Sequence, residues 1–261
     1  MKIRLLLTLL ATVLFLLPSE TYARSDAGKV MDSVVRISGS NSDKEPVMGS
    51  GFLVKAALPR QAWLISAAHF FKRLEEKKIE LLLRRSSGQK VTGFSQAYNF
   101  TPEQGLVVDK QHDLAAFLIE LPQDCSCRLL SEEMFASESD FEKLEVGNKL
   151  LIYGFPYGES FEQTGNAVVR GGIVSSFPLM PVNIYSTFLA DFEVFAGYSG
   201  GPVFFEKDGR FRLAGMILEE VFLEELRPEK KTVRRTRRGL GLARVLNSLI
   251  IKEFIARRLQ R

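Results

Sequence analysis

Apolar residues in this chain fall in short runs broken by turn formers and charges. Val34-Val35-Arg36-Ile37 is the first run, Gly51-Phe52-Leu53-Val54 the second and Trp63-Leu64-Ile65 the third. Residues 79–83 and 114–119 follow, then Lys149-Leu150-Leu151-Ile152, Val168-Val169, Gly172-Ile173-Val174, Pro202-Val203-Phe204-Phe205, residues 213–217 and Gly239-Leu240-Gly241-Leu242. Runs of this length, with turn signals between them, predict strands, and a succession of them predicts an all-β barrel or sandwich. The last stretch differs. Val245, Leu246, Leu249, Ile250, Phe254, Ile255 and Leu259 recur at helical spacing, with Lys252, Arg257 and Arg258 between them. That pattern predicts one amphipathic helix over about 245–259, docked on the strands rather than lying on a membrane.

Two segments carry no strand pattern. Residues 123–143 are polar and acidic, and read as a connector between a first half, about 33–122, and a second, about 144–244. Residues 1–23 open with Lys2 and Arg4, continue as an apolar run over 5–17, and end in Thr21-Tyr22-Ala23. This is the layout of a secretory signal peptide, too short for a comfortable membrane span, and it predicts a mature chain starting near Arg24. The mature protein is then periplasmic or secreted, with no integral membrane segment.

Composition narrows the picture. The 261 residues are 46% hydrophobic and 25% charged, ordinary for a globular protein. Net charge is +4; loss of Lys2, Arg4 and Glu20 with the leader makes it +3, too little to imply nucleic-acid binding. Cys125 and Cys127 are the only cysteines. A bridge between residues two apart is strained, and two thiols without a nearby histidine fall short of the four ligands zinc takes. Neither a metal nor an organic cofactor is expected.

The chemistry concentrates at Ser199, in Gly197-Tyr198-Ser199-Gly200-Gly201-Pro202. A serine hydroxyl becomes a nucleophile when an imidazole takes its proton, and flanking glycines let backbone N–H groups turn toward a developing oxyanion. The chain has two histidines, His69 and His112, both before Ser199. The Gly-x-Ser-x-Gly elbow of the α/β-hydrolases needs its histidine after the serine, so that reading fails. The subtilisin order, with Asp26, Asp32 or Asp43 first, demands an α/β fold that the strand pattern opposes. His, then Asp, then Ser remains.

The motifs bear this order out as a likeness. Ser66-Ala67-Ala68-His69, residues 112–118 and residues 197–202 resemble the histidine, aspartate and serine segments of the trypsin-like (chymotrypsin-fold) serine peptidases. Gly154-Phe155-Pro156-Tyr157-Gly158, Gly172-Ile173-Val174-Ser175, Asp191 and Gly239-Leu240-Gly241-Leu242-Ala243 resemble the bacterial HtrA/Deg-like branch. The resemblance runs over about 33–248. It implies two antiparallel six-stranded β-barrels with a C-terminal helix. It also departs from the family. Phe70 stands where digestive members have a cysteine, Tyr198 where they have the aspartate that pairs with a new N-terminus, and no residues remain for a PDZ domain.

On this likeness His69 is the general base, Asp113 its orienting partner and Ser199 the nucleophile. Asp109 competes with Asp113 for the second role but does not lead directly into the apolar strand, and His112 is a bystander. Gly197 and Ser199 supply the oxyanion-hole N–H groups. Glu193, Val194 and Phe195 are candidates for the substrate pocket, where a carboxylate at 193 would favour Lys or Arg. Residues 227–238, with seven Lys or Arg and one Glu, read as a solvated hairpin partly paired with Glu219, Glu220, Glu224 and Glu225. The expected function is an exported serine endopeptidase acting on proteins or peptides. A catalytically silent binding protein on the same fold is the alternative.

Overall fold

The computed structural model describes residues 26–87, 90–160, 164–229 and 232–258. The leader reading, residues 1–23, lies outside them, as does Leu259. Among the described residues no helix is long and apolar enough to cross a membrane.

Alternation of side chains builds the first β unit. In Lys78–Ser87, for example, Ile79, Leu81 and Leu83 point inward while Lys78 and Glu80 face out. The unit comprises β1 (Val34–Ser40), β2 (Pro46–Lys55), β3 (Gln61–Ala67), β4 (Lys78–Ser87), β5 (Lys90–Asn99), β6 (Leu106–Asp109) and β7 (Leu114–Glu120). They form an antiparallel sheet in the order β5-β4-β1-β2-β3-β7-β6. Among the described residues seven strands stand here, one more than expected. β5 carries no apolar run, because as an end strand paired with β4 it buries none of its residues completely.

The second unit is a closed antiparallel barrel, as expected. Its strands are β8 (Lys149–Gly154), β9 (Val168–Val174), β10 (Thr187–Asp191), β11 (Pro202–Lys207), β12 (Arg210–Glu229) and β13 (Thr232–Asn247). They close in the order β10-β13-β12-β11-β8-β9. β12 and β13 continue past the barrel as a two-stranded arm, pairing out to Glu229 opposite Thr232. Glu224 holds Arg237 at 2.9 Å and Glu219 holds Arg244 at 3.1 Å, so the charged insertion is a hairpin with cross-strand pairs.

The C-terminal helix is shorter than its periodicity suggests. It runs over Ser248–Arg258, while Val245 and Leu246 belong to β13. There they are laddered on both sides, to Phe188 and Thr187 of β10 and to Ile217 and Met216 of β12. Two flanking strands satisfy more backbone groups than a first helical turn would. Asn247 marks the switch, its Oδ1 accepting the Leu249 N–H at 3.0 Å. The helix then buries Ile250, Ile251, Phe254 and Ile255 in a cluster with Val34, Phe52, Tyr153 and Met216. That cluster draws on both β units and holds them together.

The connector is equally anchored. Leu130 bridges to Val54 and Phe135 to Leu213, one contact in each unit. A short helix, Glu138–Phe141, carries a capping box between Ser137 and Asp140, and Lys207 donates to the Asp140 carboxylate. Cys125 and Cys127 are unbridged and half-buried.

Candidate active site

Strand register brings the first two residues together. β3 pairs antiparallel with β7, setting Ala67 opposite Leu114. The residues just beyond each end, the helix Ala68–Lys72 and the turn at Asp113, must therefore meet. Ala68 N–H donates to the Asp113 carbonyl at 2.8 Å. His69 N–H donates to Asp113 Oδ1 at 2.8 Å, and His69 Nδ1 lies 2.6 Å from Oδ2. Asp113 adopts φ 51, a left-handed conformation that aspartate tolerates better than most residues. With Nδ1 engaged as donor, the lone pair of the imidazole lies on Nε2.

The competing carboxylate is occupied elsewhere. Asp109 Oδ2 lies 2.8 Å from His112 Nδ1, and Oδ1 accepts the Gln111 N–H at 2.9 Å. Partial burial raises the Asp109 carboxyl, but these hydrogen bonds outweigh it and hold the group below its ordinary range. The chain's two histidines thus form separate pairs, and only the first opens on Ser199.

Ser199 sits in the loop between β10 and β11. Gly197 has φ +99, and a Cβ there would lie 2.1 Å from the Phe155 carbonyl oxygen. At Gly200, φ is +87, and a Cβ would lie 2.0 Å from the Ser50 carbonyl oxygen. Both positions are closed to any other residue. Two buried serines outside the expected set brace the loop. Ser50 N–H donates to the Ser199 carbonyl at 2.9 Å. Ser50 Oγ donates to the Gly197 carbonyl at 2.6 Å and accepts the Phe155 N–H at 3.0 Å. Ser66 Oγ donates in turn to the Ser50 carbonyl at 2.7 Å. Their signal was present, since Ser66 stands in the histidine motif and Ser50 lies between two glycines, but neither pattern says what a serine bonds to.

Among the described residues, the N–H groups of Gly197 and Ser199 donate to no protein acceptor, while those of Tyr198, Gly200 and Gly201 do. Ser199 and His69 line one cleft of about 310 Å³, together with Gly197, Ala196, Tyr157, Met48, Phe70 and Arg73. No hydrogen bond among the described residues joins the Ser199 hydroxyl to His69.

The three pocket candidates do not gather in this cleft. Glu193 is exposed and lines a separate groove of about 660 Å³ with Lys149, Arg170 and Asp191. Arg170 donates to the Glu193 carbonyl at 3.1 Å and stacks 5.0 Å from the Phe192 ring centre. Val194 is buried in the barrel core. Phe195 faces Tyr157, with ring centres 5.6 Å apart. All three lie past the end of β10, where the loop turns each toward a different neighbour.

The family model for the trypsin-like peptidase domain matches residues 49–216. The chain belongs to the trypsin-like peptidase family. Solved structures with the same fold include the serine endoprotease from Yersinia pestis, at 13% identity and a TM-score of 0.55, covering 90% of this chain and 65% of that one. The active form of the Rv3671c protease from M. tuberculosis has 17% identity and a TM-score of 0.53, covering 88% and 82%. Deg5 has 16% identity and a TM-score of 0.55, covering 90% and 93%. No curated protein sequence matches. The two β units of this trypsin-like peptidase therefore have the chymotrypsin-like arrangement of the HtrA-type proteases. The chain spans about two thirds of the length of the Yersinia structure.

Proposed function

We propose that this family member is an exported serine endopeptidase with Ser199 as nucleophile, His69 as general base and Asp113 as the residue that orients it. The observation that carries the reading is the doubly hydrogen-bonded His69–Asp113 pair opening on the same cleft as Ser199. Asp113 fixes the tautomer in which Nε2 takes the Ser199 proton, and it stabilises the imidazolium that results. The hydroxyl attacks the peptide carbonyl, the Gly197 and Ser199 N–H groups receive the oxyanion, and the imidazolium returns its proton to the leaving amine. Water then cleaves the acyl-enzyme by the same route in reverse. The Ser199–His69 hydrogen bond is to form as substrate binds, since such contacts are commonly long in unliganded sites. Export rests on the sequence of residues 1–23, and N-terminal sequencing of the mature protein is to find a start near Arg24.

A fluorophosphonate probe should label the mature protein at Ser199 and spare the Ser199→Ala variant. That substitution should lower kcat for peptide hydrolysis by about 10⁶-fold, the loss seen when a serine protease is stripped of its nucleophile. Hydrolysis that persists in Ser199→Ala would exclude the mechanism. A folded wild-type protein that neither reacts with the probe nor cleaves peptides would leave the binding-protein reading.

A further inference from the structure

We propose that the half of the cleft beyond His69 selects substrates with an apolar residue directly after the cleaved bond and an acidic residue next to it, Arg73 supplying the charge. This rests on the peptidase reading above. In that chemistry the acyl part of the substrate stays on Ser199, while the leaving amine takes its proton from His69. The segment that follows the bond must therefore lie on the His69 side.

What lines that side is specific. The helix Ala68–Lys72 continues from His69 into Phe70, and Arg73 ends it one turn on, its N–H donating to the His69 carbonyl at 3.3 Å and to that of Phe70 at 3.2 Å. Pro46, Val47 and Met48 of β2 and the ring of Tyr157 complete the walls. Met48 is 37% exposed and Tyr157 66%, so apolar surface faces the cleft unfilled. A thioether adapts to aliphatic side chains of several shapes. The same cleft carries one fixed charge. Among the described residues, Arg73 is the only Lys, Arg, Asp or Glu lining the cleft, it is exposed, and its side chain has no ion pair or hydrogen bond. Lys72, Glu75 and Glu76 are also exposed but do not line the cleft. A guanidinium stays charged at any working pH and presents paired N–H donors that match a carboxylate.

The test is a set of internally quenched peptides with one fixed acyl side and Leu-Asp, Leu-Asn, Leu-Lys or Ser-Asp after the bond. Wild-type kcat/KM should be about threefold to tenfold higher for Leu-Asp than for Leu-Lys at low salt. The ratio should shrink at high salt, as screening weakens a partly exposed pair. Arg73→Gln should bring it near one, and Arg73→Glu should invert it. The ratio within each variant is the readout, so a change in overall turnover does not obscure it. An active ester with no residue on the leaving side separates the two claims. If the ester is hydrolysed but Leu-Asp and Leu-Lys are cleaved alike, charge selection is wrong and the peptidase reading stands. If neither ester nor any peptide is turned over, both fall.

Discussion

Single residues decide whether the serine loop keeps its shape. Ser50 is fully buried and joins three backbone groups of two chain segments, so Ser50→Ala should strand the Gly197 carbonyl and the Phe155 N–H. Each unpaired buried group costs about 1–3 kcal/mol. With two groups stranded, chemical denaturation should show a loss of about 2–6 kcal/mol, and kcat should fall further than KM rises, because the loop holds the oxyanion donors. A wild-type midpoint and kcat in Ser50→Ala would show that the loop is held by its glycines alone. The sequence made His69, Asp113 and Ser199 legible as candidates because their neighbours form motifs. It did not reveal Ser50 or the engagement of Asp109 by His112, because a hydrogen-bond partner is set by position in space. Glu193, Val194 and Phe195 stand beside one another in the chain, but the loop after β10 turns them to a groove, the barrel core and the Tyr157 ring respectively.

Secondary-structure elements were legible in proportion to their burial. β3 and β7 are almost wholly inside, and their apolar runs marked them. β5, with its exposed alternation, gave no run to read. At the C-terminus, apolar residues at 245, 246, 249 and 250 suit a helix and a strand end equally, and the neighbouring ladders choose. The helix that follows should be a large contributor to stability. Phe254 is 6% exposed in the cluster shared by both β units, and Phe254→Ala should cost about 3–5 kcal/mol in equilibrium unfolding. A loss under 1 kcal/mol would mean the helix is only loosely docked. The connector should add acid sensitivity. Burial raises the Asp140 carboxyl, but Lys207 and Ser137 outweigh it and bring its pKa down from 3.8 to about 2. A carboxyl depressed in the folded state stabilises above its unfolded pKa and loses that contribution as pH falls through the folded value. Wild type should therefore exceed Asp140→Asn by about 1–2 kcal/mol at pH 6, a margin discounted for the partly exposed Lys207, and the gap should close between pH 4 and pH 2. A gap that stays constant over that range would assign the effect to packing.

At the scale of the whole molecule, the two β units meet through one apolar cluster, while the arm of β12 and β13 projects beyond it. Among the arm's described side chains, Glu224 and residues 235–237 are exposed and belong to no core cluster. Replacing residues 224–237 by an Asn-Gly turn should leave Tm within about 2–4 °C, the shift that ~1 kcal/mol gives a domain of this size. A larger drop would mean the arm is part of the folding unit. The pattern of short apolar runs by itself determined an all-β chain in two halves, since alternation and burial are local consequences of side-chain chemistry. The order His, Asp, Ser determined which chemistry to look for, since each motif is confined to a few neighbouring residues. The number of strands in each unit, the extent of the final helix, the partner of each histidine and the residues that share the cleft with Ser199 were decided only by the tertiary structure. All four depend on which distant segments become neighbours, and a backbone group takes whichever hydrogen-bond partner the finished packing brings to it.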